Sequence, residues 1–260
     1  MERIAHHGRE TAYRVSDRGG DGPGLLCIHG SGGSAGAWKS QSRLADRAPI
    51  VALDLSGHGE SEDVASSAGP DALEAYVEDV VAVAEETDAS ILVGNSLGGA
   101  VAMWTALERG LPLDGLVLTG TGAKLAVLDD LLAWLGDDFD RAIEFLHAPD
   151  RLFHDPDEQS LELSKGAMRQ AGRAVTERDF RTCHAFDVRD RLGELDVPAL
   201  AVVGEHDKMT PLRYHEFLAD NMPDCDIAVV EDAAHLAMLE APEAFNEAVE
   251  TFLDRIGDEG

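Results

Sequence analysis

The stretch ILVGNSLGGAVAM, residues 91–103, decides how the rest of the chain is read. Ile91–Val93 is an apolar run of strand character, Ala100–Leu107 reads as helix, and only GNSLGG lies between them. So sharp a passage from strand to helix holds Ser96 in a strained backbone conformation and lifts its Oγ above the sheet edge. Gly94, Gly98 and Gly99 carry no side chain to clash where strand and helix cross closely. The N-terminus of the following helix favours negative charge developing beside Ser96. A second G-x-S-x-G, GGSAG at 32–36, carries Ser34, but it lies several residues beyond its strand in a glycine-rich loop that can relax. Ser96 is therefore the candidate nucleophile.

Around this turn, strand and helix signals alternate. The segment ERIAHHGRETAYRVSDRGG reads as an antiparallel pair with Gly8 near the turn. LLCIH, IVALDL, ILVGN, GLVLTG, ALAVVGE and CDIAVVED follow as mostly continuous apolar runs, the pattern of strands covered on both faces. Leu73, Tyr76, Val77, Val80, Val81 and Ala84 fall at helical spacing, as do Phe245, Ala248, Val249, Phe252, Leu253 and Ile256, with Gly257 placed to end that last helix. Thr210 is the expected N-cap of a helix with Pro211 at its first position. The alternation predicts an α/β fold with a mostly parallel sheet between helical layers. It breaks once, between about Lys124 and Phe186, where LAVLDDLLAWL, DRAIEFLH and EQSLELSKGAMRQA are helical and no strand is evident. The expected organisation is a core of 1–123 and 187–260 with a helical cap, 124–186, inserted after the sixth strand.

A serine hydroxyl needs a base to act as a nucleophile, and the base needs an acid to orient it. Asp207 lies just past the strand ALAVVG, and His235 just past the next strand and before the last helix. The chain order Ser96, Asp207, His235 is the one expected for a nucleophile elbow in this architecture. Glu205 sits nearer the strand and is expected to point elsewhere; His206 is expected at the surface. His29 and His58 are strand-end alternatives, with His29 read as a support for the loop after it. That loop, HGSGGSAGAW, bears on the oxyanion of a tetrahedral intermediate, which needs preorganised donors. The N–H of Leu97, directly after the nucleophile, is one; the N–H of Ser31 is the other, with Gly30, Gly32 and Gly33 letting that backbone approach substrate.

HGSGG, DLSGHGES at 54–61, GNSLGG, GEHD and AAHLAMLEAPEAF, in this order, resemble the α/β-hydrolase-fold enzymes along nearly the whole chain. The resemblance implies an eight-stranded, mostly parallel sheet, Ser96, Asp207 and His235 as the triad, Ser31 and Leu97 as oxyanion donors, and residues about 124–186 as the cap. It also implies that Asp54, Gly57 and His58 are structural. HGSGG and GNSLGG are similar to segments of meta-cleavage-product C–C hydrolases, small carboxylesterases and lactonases. The C–C hydrolases usually carry an aromatic residue after the catalytic histidine, where this chain has Leu236. Haloalkane dehalogenases and epoxide hydrolases usually have Asp at the elbow, against which Ser96 argues. The expected activity is hydrolysis of a carboxylic ester of a small to medium, mainly apolar substrate through an acyl-enzyme, without metal or organic cofactor. Cofactor-free perhydrolase or haloperoxidase chemistry uses the same triad, and a non-catalytic small-ligand receptor is the reading from a different class. Leu125, Leu128, Leu132 and Trp134 of the cap, with Met103 and Leu236 of the core, are expected to bound the acyl pocket.

Composition narrows the partners. Asp and Glu total 50 against 21 Lys and Arg, a net charge of −29, and Lys occurs only at 39, 124, 165 and 208. Nucleic acid and anionic membranes are poor partners for such a surface. The charge pattern resembles proteins of salt-accumulating halophiles. No apolar run approaches the roughly 18 residues of a membrane span, and the charged start MERIAHHGRE has no apolar signal segment. Three dispersed cysteines, Cys27, Cys183 and Cys225, form no disulfide framework and fit a reducing cytoplasm. No His or Cys spacing suggests a metal site. The expected partner is a small-molecule substrate, and the expected state a monomer or small homo-oligomer.

Overall fold

A computed structural model describes residues 1–258. The chain runs β1 (Glu2–His6), β2 (Arg9–Ser16), β3 (Gly24–Ile28), a 3₁₀ helix (Ala35–Asp46), β4 (Ile50–Leu53), α1 (Pro70–Thr87), β5 (Ala89–Asn95), α2 (Leu97–Glu108) and β6 (Gly115–Thr119). Helices α3 (Asp129–Asp137), α4 (Phe139–Leu146), α5 (Glu158–Ala171) and α6 (Arg173–Ala185) follow without an intervening strand. Then come β7 (Ala199–Gly204), α7 (Leu212–Asn221), β8 (Cys225–Val230), α8 (Ala237–Glu240) and α9 (Pro242–Asp258). The strands form one eight-stranded sheet in the order β1-β2-β4-β3-β5-β6-β7-β8. β1–β2 and β2–β4 pair antiparallel, and every later pair is parallel.

Continuous apolar strands build two cores, one on each face. In β3, Leu26 and Ile28 join the side packed by α1, α2 and α7, and Leu25 and Cys27 join the side packed by Trp38 of the 3₁₀ helix and by Phe245, Val249 and Phe252 of α9. Alternate residues of one strand thus serve opposite layers, so neither face tolerates a polar run. The strand order reverses at β3, whose neighbours β4 and β5 lie on opposite sides. The connections leaving the carboxyl ends of β3 and β5 therefore open a crevice between them, and the elbow at Ser96 lies on its rim.

Between β6 and β7, α3–α6 form a third apolar cluster around Leu131, Leu135, Ile143, Leu146, Phe153, Met168 and Phe180. The two ends of this segment are joined: Lys124 and Asp187 form an antiparallel bridge, Lys124 Nζ lies 2.9 Å from Asp187 Oδ2, and the Val188 N–H donates to the Ala123 carbonyl at 2.8 Å. Two local expectations need correction. α9 continues through Gly257, which does not end it. Pro211, not Thr210, occupies the N-cap position of α7, because the Thr210 hydroxyl donates to Asp207 Oδ2 at 2.7 Å. That bond is charge-assisted, and no side chain caps the helix.

Candidate active site

The elbow is built from close backbone approaches. Ser96 has φ 55° and ψ −114°, a left-handed conformation rare for a residue with a Cβ. A Cβ on Gly98 would come within 2.8 Å of the His29 carbonyl oxygen and closer still to that of Ile28, and one on Gly94 would run into the Gly98–Gly99 peptide. These glycines let α2 cross β3 and β5 at a separation no side chain permits. The turn is tied down by bonds from the Ser96 N–H to the Thr119 carbonyl (3.0 Å) and from Thr121 Oγ1 to the Ser96 carbonyl (2.9 Å). Ser34, in the rival motif, has extended backbone (φ −162°) and caps the 3₁₀ helix by accepting from the Gly36 N–H at 3.3 Å.

Asp207 and His235 stand at the ends of the two strands that follow the helical segment. Both are buried, and Asp207 Oδ2 lies 2.9 Å from His235 Nδ1. The same carboxylate accepts from the Met209 N–H (2.7 Å), the Thr210 N–H (2.9 Å) and Thr210 Oγ1, which also sits 3.2 Å from His235 Nδ1. Burial opposes the charge on Asp207, but His235 and the Thr210 donors outweigh it and hold the carboxyl down at about 2. Glu205, the neighbouring acid, turns outward to the Asp232 N–H and His206. The His235 loop is pinned from three sides. Its N–H donates to the Arg151 carbonyl (3.1 Å), its carbonyl accepts from Asn95 Nδ2 (3.2 Å), and Glu240 Oε2 accepts from the Ala234 N–H (2.7 Å). With Nδ1 committed to Asp207, the other ring nitrogen is left for chemistry.

Ser96, His235 and Ser31 line one cavity of about 460 Å³. Leu97 is the first residue of α2, so its N–H is one of the donors a helix leaves without an intrahelical partner. Gly30 lies against the elbow, where an added Cβ would meet Ser96 Cβ at 3.2 Å, so the loop carrying Ser31 passes directly over the serine. His29 supports that loop from beneath: its Nδ1–H donates to the Gly30 carbonyl (2.8 Å) and its Nε2 accepts from the Leu55 N–H (3.1 Å). Accepting at Nε2 needs a neutral ring, and burial together with the neighbouring His58 lowers its pKa to about 4. Asp54 accepts from the Ala35 N–H (2.7 Å) and the Glu60 N–H (2.9 Å), a bracing role between the two loops.

The cavity wall differs from the expected one. Leu236 lines it, but Leu125 and Met103 are buried in the core that α1, α2 and α7 pack, and Leu128 is 62% exposed. Leu132 and Trp134 pack within the helical segment, Trp134 edge-on to Phe145 with Arg141 over its ring. The apolar wall comes instead from Leu152, Phe153, Met168, Phe180, Met209 and Leu239. The reason is geometric: α3 buries its apolar face against α4 and α6, which leaves α5, α6 and the 152–153 segment to cover the crevice. Asn95, Thr121 and Thr210 are site residues that sequence reasoning missed. Their signal was positional, since each lies within three residues of a strand end or of Asp207.

Comparison with known proteins identifies the family. The model of the alpha/beta hydrolase family matches residues 25–248. The chain belongs to the alpha/beta hydrolase family. This hydrolase is 30% identical to a pimeloyl-[acyl-carrier protein] methyl ester esterase of Neisseria meningitidis serogroup A, over 90% of this chain and 78% of the relative. It is 27% identical to a putative carbamate hydrolase of Agrobacterium fabrum, over 95% and 96% of the two chains. A solved thermophilic esterase superposes with a TM-score of 0.85 at 30% identity, covering 98% of each chain. Among the described residues of the hydrolase, no helix is long and apolar enough to cross a membrane.

Proposed function

We propose that this hydrolase cleaves a carboxylic ester of a small to medium, mainly apolar substrate through an acyl-enzyme formed on Ser96. The observation that carries the reading is the buried Asp207–His235 bond of 2.9 Å beside a serine held at φ 55° on the same cavity. Ser96 Oγ attacks the ester carbonyl carbon and its proton passes to His235 Nε2. Asp207 holds the ring through Nδ1 and stabilises the imidazolium. The N–H groups of Leu97 and Ser31 bind the oxyanion, which carries more charge in the transition state than in the bound ester. Collapse expels the alcohol, which takes the proton from His235. Water, deprotonated by the same ring, then releases the acid. Side chains, backbone and water suffice for every step.

An apolar wall of Phe153, Met168, Phe180 and Leu236 suits the acyl or alkyl part of such a substrate. The ester reading draws support from relatives named as esterases, and the charge of −29 speaks against nucleic acid or an anionic membrane as the partner. The test is a panel of p-nitrophenyl esters, lactones and vinylogous diketones with fluorophosphonate labelling. Ester turnover with the adduct on Ser96 is the expected result. Turnover of the diketones alone would move the assignment to C–C cleavage. Peroxide-dependent oxidation without hydrolysis would favour the perhydrolase or haloperoxidase chemistry. One labelling event with no turnover of any substrate would favour a ligand receptor of the same fold.

A further inference from the structure

Helix α6 does more than cover the cavity. Thr176, Asp179, Phe180 and Cys183 fall at i, i+3, i+4 and i+7, one face of the helix, and all four are buried. Phe180 lines the cavity. The other three address the loop that follows β3. Asp179 Oδ2 accepts from the Gly32 N–H at 3.0 Å, Cys183 Sγ lies 3.7 Å from Ser31 Oγ, and a Cβ on Gly32 would meet Thr176 Oγ1 at 3.3 Å. Gly32 has φ 66°, so its peptide is in an orientation that only glycine adopts without strain. A loop with glycine at 30, 32 and 33 has no stiffness of its own, and something must fix the direction of its amides.

Asp179 has the attributes of that anchor. It is fully buried, and its two oxygens take three donors: the Gly32 N–H and His58 Nε2 (2.9 Å) on Oδ2, and the Tyr76 hydroxyl (2.5 Å) on Oδ1. Arg178, the preceding residue, donates to the Tyr76 hydroxyl and the Ser56 carbonyl and pairs with Asp63, which fixes this part of the helix against the core. Burial raises the cost of charge on both His58 and Asp179, but each favours ionisation of the other, and the balance lowers the aspartate and raises the histidine. A buried carboxylate with three donors is a rigid object, because moving it strands a charge.

We infer that Asp179 is a positioning residue for the oxyanion hole: by holding the Gly32 N–H, in the peptide next to the one that carries the Ser31 N–H, it fixes the loop that presents the Ser31 N–H over Ser96, so helix α6 must be seated for the site to be competent. This rests on the proposed role of the Ser31 and Leu97 amides. It also gives the β6–β7 helices a part in the chemistry, since Asp179 and the cavity-lining Phe180 are consecutive. A substrate that seats Phe180 also seats the anchor.

The decisive measurement compares a trifluoromethyl ketone, which forms a hemiketal oxyanion on the serine, with the matching alcohol, which fills the cavity without one. Asp179→Val removes the acceptor. Asp179→Val with His58→Met removes the ion pair as a unit and strands no charge, which keeps the fold accessible. A displaced donor is expected to cost less than a deleted one, so kcat and ketone affinity should fall together by about 10- to 100-fold. KM for a short ester and affinity for the alcohol should stay within about twofold, the split expected when only transition-state binding is lost. A folded variant with undiminished kcat and ketone affinity would overturn the inference. Equal losses for ketone and alcohol would overturn it too, since they would mean that Asp179 merely shapes the cavity. If the unmodified protein formed no ketone adduct and cleaved no ester, it would be the serine-hydrolase reading that had failed.

Discussion

Replacing Gly98 by alanine tests the elbow with one methyl group. The new Cβ would lie within 2.8 Å of the His29 carbonyl oxygen and closer to that of Ile28, whereas real Cβ atoms essentially never approach other atoms within 3.0 Å. Both obstacles are backbone, one at the last residue of β3 and one directly after it, and β3 is bonded to β4 and β5, so neither can readily swing aside. Relief requires α2 to move away from β3 by something on the order of 1 Å, and the Leu97 N–H and Ser96 travel with it. A misplacement of that size costs roughly 100-fold in rate. Overpacking of this kind costs roughly 1–3 kcal/mol, or about 3–10 °C in Tm for a chain of this length. The control is Gly166→Ala on the exposed face of α5, where nothing lies within 4 Å of the added atom. There the helix should gain about 0.5–1 kcal/mol with turnover unchanged. The assays are kcat on a short acetate ester, the rate of fluorophosphonate labelling, and thermal unfolding of both variants. If Gly98→Ala kept both its Tm and its kcat, the close crossing would not be what sets the serine. A lower Tm with full kcat in the folded fraction would separate the packing from the chemistry and refute the link drawn between them.

Other outcomes follow from the same geometry. Ser96→Ala should abolish fluorophosphonate labelling and reduce turnover by several orders of magnitude while Ser34→Ala labels normally; a mass-mapped adduct on Ser34 would reverse the assignment. Asp207→Asn should lower kcat by roughly 10³–10⁴-fold, whereas Glu205→Gln should leave it near normal, and the opposite ranking would make Glu205 the acid. Because Asp207 is held at about 2, below the ordinary value of 3.8, its stabilisation is complete above about pH 4 and is lost as pH falls through about 2. Acid unfolding of Asp207→Asn should therefore be less steep in that window, and an unchanged acid limb would contradict the pairing. Met168→Ala or Phe180→Ala should change acyl-length preference while Leu132→Ala does not, with equal shifts at Leu132 counting against the wall described. With a charge of −29, the unfolding midpoint should rise between 0.05 and about 3 M KCl as the Debye length shrinks to a few ångströms; a flat or falling midpoint would end the halophilic reading.

The fold was legible because its signals are local. Leu25–Ile28 and Leu200–Val203 are continuous apolar runs buried on both faces, and five such runs separated by helical spacing leave few topologies besides a parallel sheet; the sixth run, β8, differs from the expectation because it lies at the sheet edge with Ile227 and Val229 exposed. Ser96 was legible for a related reason: Gly94, Gly98 and Gly99 cluster around it in the sequence, although only Gly94 is demanded by the turn itself, while Gly98 meets the end of β3 and Gly99 meets Thr121 after β6. The pairing of Asp207 with His235 was read from their places at strand ends, and the bond between them joins the loops after two neighbouring strands. Thr210 shows the limit of that logic. Thr followed by Pro is a helix-start signal, and only the proximity of a buried carboxylate three residues earlier turns its hydroxyl elsewhere.

The cavity wall and the α6 anchor were hidden for a different reason. Helical periodicity says that a face is buried but not what it is buried against. Leu132 and Trp134 obey the pattern and pack within the helical segment, while Met168 and Phe180 line the cavity. In α6 the pattern itself is weak, because Thr176, Asp179 and Thr182 are polar residues that hydrophobicity alone assigns to solvent, yet each is buried. Asp179 and Thr182 are satisfied in part by distant partners. Asp179 depends on Gly32, His58 and Tyr76, and Thr182 accepts from the Gly69 N–H at 2.9 Å. A buried polar residue satisfied across more than a hundred positions leaves no trace in its own neighbourhood. The part of the site that is hardest to read in sequence is thus the part contributed by one segment to another, and in this protein that contribution runs from the helices between β6 and β7 to the loop over the serine.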